Sequence, residues 1–286
     1  MTEVGMNLSI ILLSIILGAY FLALILFVRG FLGSDSKMGR WAGYSMELGF
    51  LLQTIWIFSQ MFASPQIASS GFHLPVTTVG EASGFFAWSL AFIYLVLLRR
   101  LQIEAFALIL IPVLILFLIP SFFSFPVHRA LLAYFSDTYF LIHILTAFFG
   151  YASFALAFIG ASLYLFLDRV LKRKLTSPIY RQLPPLEDLE RFIFRTIFWG
   201  LVLLGGAILT GAFWSKSVFG SFILKEPKSL LSLLTWVVYL AIMYGHTVLS
   251  IKGRQIVRMS LIAFMLVLFT FLGTGLFQSG LHVGVR

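Results

Sequence analysis

Trp214 to Trp236 reads WSKSVFGSFILKEPKSLLSLLTW, two apolar runs held apart by Lys225-Glu226-Pro227-Lys228. Pro227 lies where a new helix would begin, because a first-turn residue has no use for an N–H. The stretch therefore reads as the end of one apolar helix, a short loop facing water and the start of the next. That alternation is the pattern of a chain threaded through a membrane.

Composition extends the reading to the whole chain. Of 286 residues, 60% are hydrophobic and only 11% charged, and the mean hydropathy is +1.01. Soluble domains are nearer half apolar and a quarter charged. The expected fold is an all-α polytopic membrane bundle of about eight transmembrane helices in the lipid bilayer of the cytoplasmic membrane. No cysteine is present, which excludes disulfides, thiolate metal sites and thiol chemistry by this chain alone. The net charge of +9 would suggest nucleic acid in a soluble protein; here the basic residues cluster in loops between apolar spans and act as topology signals, so no nucleic-acid partner is expected.

Eight stretches approach the roughly 20 residues a spanning helix needs. They lie near 7–28, 41–62, 81–98, 103–121, 138–168, 192–214, 229–249 and 256–276. Nothing basic precedes the first and no small-residue cleavage site follows it, so it reads as a retained span. Fifteen of the 20 Lys and Arg residues fall in alternate loops, seven of them between Arg169 and Arg195. By the positive-inside rule those loops are cytoplasmic and both termini extracytoplasmic. The loop after Trp214 then faces outward. The connection Asp168 to Arg191, with Pro184-Pro185, is a linker that marks off five spans from three, yet helices pack across such linkers, and 1–286 is read as one integral membrane domain.

Histidine is the residue type most suited to chemistry in such a chain, since neutral imidazole ligates haem iron and other metals. His73, His128, His143 and His282 map to the outer side and His246 to the inner end of span seven. Two histidines from different spans at one depth have the arrangement needed to ligate one iron from opposite faces, although rim histidines are commonly just hydrogen-bonded. No HExxH or zinc-like cluster occurs. Beside the outer loop, Phe213, Trp214, Phe219 and Phe222, with Trp236 one turn further in, form a shelf suited to a flat apolar macrocycle. Glu81, at the outer start of span three, suits a helix N-terminus and is retained among the candidate contacts. No catalytic side chain is assigned.

From Pro75 to Arg286 the chain resembles the cytochrome c assembly protein family, the haem-handling membrane proteins that include the CcsA/ResC, CcmC and HemX-like groups. PVTTVGEASGFFAW (Pro75 to Trp88) is similar to the family's PVTNxYES…FxAW segment. LIHILTAFFGYASFALAFIGASLYLF (Leu141 to Phe166) resembles its IHV…GYAxFxLA…LYL helix, which puts His143 at the first external histidine. WVVYLAIMYGHTVL (Trp236 to Leu249) resembles the helix with an intramembrane histidine, matched by His246. LGTGLFQSGLHVG (Leu272 to Gly284) resembles the terminal GVN…SGLHSYG, matching His282 to the second external histidine.

The departure is at the loop. Where haem-presenting members carry WGxYWxWDPKExWSLxTW, this chain has FGSFILKEPKSLLSLLTW from Phe219 to Trp236, with Phe219, Ile223, Lys225 and Leu231 in place of four tryptophans. The resemblance implies haem b held between His143 and His282, His246 as a ligand during transit, Lys225 near a propionate, and a ResB-like partner and an apocytochrome c, as one component of a haem-ligation complex. The degenerate loop points instead to a HemX-like accessory protein that regulates tetrapyrrole synthesis or supports another complex without ligation chemistry. A solute transporter fits less well, because midspan charges and broken-helix pairs are missing.

Overall fold

The computed structural model describes residues 3–33, 35–62, 73–97, 104–123, 137–173, 184–220 and 227–270. Among them are eight α-helices and no strand: α1 (Glu3–Gly33), α2 (Ser36–Phe62), α3 (Val79–Leu97), α4 (Glu104–Leu118, continued by a 3-10 turn Ile119–Phe122), α5 (Thr138–Lys172), α6 (Leu186–Phe219), α7 (Pro227–Thr247) and α8 (Arg254–Leu268). Six of these, all but α2 and α8, are long and apolar enough to cross a membrane. The chain is a multi-pass membrane protein. α7 begins at Pro227 as expected, and α6 closes on Gly220, whose positive φ of 70° lets its N–H return to Lys216 O at 3.0 Å.

α2 falls short on hydropathy for a physical reason. Its buried side mixes small and polar residues, Gly39, Ser45, Gly49, Gln53 and Gln60, with Met46, Trp56 and Ile57, whereas Trp41, Tyr44, Leu48, Leu51, Ile55, Phe58 and Phe62 are exposed at helical spacing. A helix with its grease outside and its amides inside is built for lipid. α8 ends at Leu268, and residues 271–276 of the expected span 256–276 lie outside the described residues.

Two compact units make up the chain, the first Met1–Leu141 together with Lys174–Pro184 and the second Ile142–Arg173 together with Pro185–Arg286. The division thus comes one helix before the linker. In the first unit, Tyr20 Oη donates to Gln53 Oε1 at 2.7 Å and Gln53 Nε2 donates to Gly84 O at 3.0 Å, tying α1, α2 and α3 together through the fully buried Gln53. In the second, α5 joins α6 through glycines. A Cβ on Gly150 would sit 3.0 Å from Leu204 N, one on Gly160 3.0 Å from Phe192, and one on Gly200 2.5 Å from Phe154. Close backbone approach through small residues is how helices associate in lipid, where there is no hydrophobic force between them.

Candidate functional site

His143 lies in the second turn of α5, against the C-terminal half of α6. Its Nδ1 is 2.7 Å from Ala207 O. A carbonyl can only accept, so Nδ1 carries the proton and Nε2 is the lone-pair nitrogen of the neutral ring. Gly211, one turn further along α6, makes the approach possible: a Cβ there would come within 2.6 Å of that same Nδ1. Trp236 of α7 docks one turn below, its indole N–H donating to Leu201 O at 2.9 Å over Gly205, where a Cβ would meet the indole nitrogen at 3.0 Å. Tyr151 of α5 joins the first turns of α7 through Ser232, oxygen to oxygen at 2.9 Å. Half-buried Trp214 and exposed Phe213 follow on α6 itself.

At the opposite end of this unit, His246 in the last turn of α7 lies flat on Phe194, with ring centroids 3.4 Å apart and planes 2° from parallel. Its Nδ1 faces Ile251 O at 3.3 Å, an acceptor that favours the proton on Nδ1. Thirteen residues of α6 separate Ala207 from Phe194, about 20 Å of helix at 1.5 Å per residue. The two histidines therefore occupy different ends of one unit.

A family model described as Cytochrome C assembly protein matches residues 76–282, a stretch that includes both of these histidines and His282. The chain belongs to that family. Protein HemX of Brevibacillus brevis is 29% identical over 258 residues, which are 89% of this chain and 91% of that protein. Cytochrome c biogenesis protein CcsA of Mesostigma viride is 24% identical over 234 residues, covering 73% of this chain and 77% of its own. Among solved structures, Cytochrome c Heme Lyase CcmF superposes over 96% of this chain with a TM-score of 0.63 at 15% identity. This chain spans half of the CcmF chain; that likeness shows the fold.

Within this cytochrome c assembly protein, the other candidates fall apart by location. Glu81 belongs to the first unit and caps its own helix: its Oε2 accepts from Thr77 N at 2.9 Å, Thr77 Oγ1 at 2.6 Å and Thr78 N at 3.3 Å, while Thr78 Oγ1 accepts from Glu81 N at 3.1 Å. That reciprocal arrangement is a capping box. His73, also in the first unit, is buried and its ring is held below the usual imidazole pKa by burial, opposed by the charge of Glu81. His128, Phe222, Lys225 and His282 lie outside the described residues, as does the side chain of Phe219, the last residue of α6. Sequence reasoning missed Gly205, Gly211, Tyr151 and Ser232. Isolated glycines in a helical run were the available signal, since they mark close packing or function; a chain of letters does not say what they face.

Proposed function

We propose that this cytochrome c assembly protein handles haem in the cytoplasmic membrane, and that haem b would be held at the extracytoplasmic end of α5 by His143 and His282. The observation that carries the reading is the hydrogen bond from His143 Nδ1 to Ala207 O at 2.7 Å, which leaves Nε2 as the nitrogen able to bind iron. A ligating histidine normally donates its other N–H in this way. The donor set also suits a porphyrin, which asks the protein for only one or two axial ligands: among the described residues, no three His, Cys, Asp or Glu side chains gather to hold a bare metal ion. When bound, the porphyrin supplies the vinyl groups needed for attachment to an apocytochrome c. The chain's own part is to hold and orient. His143 and His282 would hold the iron, Trp214, Phe219, Phe222 and Trp236 would supply apolar contacts to the macrocycle and Lys225 would pair with a propionate, with His246 as a candidate ligand at the other end of the unit; Glu81 caps its own helix. A ResB-like protein is the expected membrane partner.

The extensive match to Protein HemX and the missing tryptophans favour a second reading, an accessory protein that regulates tetrapyrrole synthesis without ligation chemistry. One experiment separates the two. Haem retained through purification is measured for the parent and for a variant with Phe219, Ile223 and Leu231 all replaced by Trp, which restores large apolar contacts around a macrocycle. The haem-handling reading expects weak retention in the parent and a clear gain in the variant. No haem in either supports the accessory reading.

A further inference from the structure

Behind His246 stands a carboxylate that the reading above leaves unused. Glu190, in the first turns of α6, has its Oε1 3.9 Å from His246 Nδ1, and both side chains are mostly buried, at 18% and 22% exposure. The same Oε1 accepts the N–H of Gly253 at 3.1 Å. Phe194, one turn further along α6, covers the face of the imidazole. The turn between α7 and α8 is held from α5 as well: Arg254 meets Asp168 Oδ2 at 3.5 Å, and Lys172 meets Asp168 Oδ1 at 2.9 Å. In this turn Ser250 takes the left-handed φ of 55°, which costs a residue with a Cβ, and Gly253 a φ of 66°, which glycine adopts freely. Its shape brings Ile251 N onto Gly245 O at 3.0 Å and Ile251 O onto His246 Nδ1 at 3.3 Å.

We propose that the Glu190 carboxylate is a positioning group for His246, holding the proton on Nδ1 so that Nε2 is presented to iron; the iron part of this rests on the haem reading. The argument is electrostatic. A carbonyl dipole at 3.3 Å favours a proton on Nδ1, and a negative charge behind it, in a site of low dielectric, favours it further. Gly253 alone does not require that charge, because a glutamine oxygen accepts an N–H equally well. What Glu190 adds over glutamine is felt at the imidazole.

The test uses full-length protein in detergent, haem-free and labelled with 15N-histidine, with the His246 signals assigned by their loss in His246→Ala. The parent should show an Nδ1-protonated pattern. Glu190→Gln, which keeps the Gly253 hydrogen bond and so the fold, should shift toward a mixture of tautomers, and Glu190→Asp should restore the parent pattern. Haem binding, titrated in the His143→Ala background so that His246 dominates, should weaken about 10-fold in Glu190→Gln. A parent-like tautomer in Glu190→Gln overturns the positioning role. A shifted tautomer with no haem bound by any variant supports the positioning of the ring and overturns the haem reading instead.

Discussion

His143 and Gly211 act as one unit. Alanine in a helix interior ordinarily stabilises relative to glycine by about 1 kcal/mol, so Gly211→Ala would improve a structural helix. Here the new Cβ meets His143 Nδ1 at 2.6 Å, and the atom it meets ends a side chain that can swing away. The ring then leaves Ala207 O and loses its fixed tautomer. We expect Gly211→Ala to keep its unfolding midpoint but retain about 10-fold less haem; parent-like retention would show that the contact is only packing. His73 provides a different residue-scale test. Its folded pKa lies below the ordinary value, with burial as the main cause. As pH falls below about 6.5, the unfolded chain takes up a proton that folded His73 resists, so stability is intact above that value and declines below it. The midpoint in detergent should drop between pH 7.5 and 5.5, and His73→Leu should remove part of that drop. An equal drop in both proteins would assign the effect elsewhere.

At the level of helices, glycine has opposite meanings at neighbouring places on α6. Gly200 faces Phe154, which is fully buried and stacked on Tyr239 with centroids 3.8 Å apart, so a Cβ at 2.5 Å has no ring that can yield. Gly206 has no atom within 4 Å of its hypothetical Cβ. Gly200→Ala should cost about 1–3 kcal/mol through overpacking and lower the unfolding midpoint, whereas Gly206→Ala should leave it unchanged or raise it slightly. Equal midpoints would refute the close α5–α6 contact. The helices themselves were legible, because hydropathy and Pro227 carry their own positions. Some ends ran longer than the apolar cores: α6 starts at Leu186 rather than near 192, since Glu187 and Asp188 suit a helix N-terminus although they break the apolar run. What Gly211 or Glu190 touches was not legible, because it depends on how α5, α7 and the turn after α7 pack against α6. The family motifs single out His143 and His246 as candidates; Glu81, quoted in one of them, accepts hydrogen bonds at its own helix start.

For the molecule as a whole, the charge pattern makes a prediction about sides that helix packing alone does not. Reporter fusions after Arg173 should read cytoplasmic and those after Lys225 extracytoplasmic; reversal at either position would put His143 on the wrong side for haem presentation. The central claim is that one iron is held by His143 and His282, and the most direct measurement is the optical spectrum of purified, haem-loaded protein. The parent should be low-spin, with a sharp split band after reduction. His143→Ala and His282→Ala should each lose haem or turn high-spin and recover partly with added imidazole, while His73→Ala and His128→Ala match the parent. If all four variants carry haem identically, or if the parent binds none whether reduced or oxidised, the paired-ligand account is contradicted.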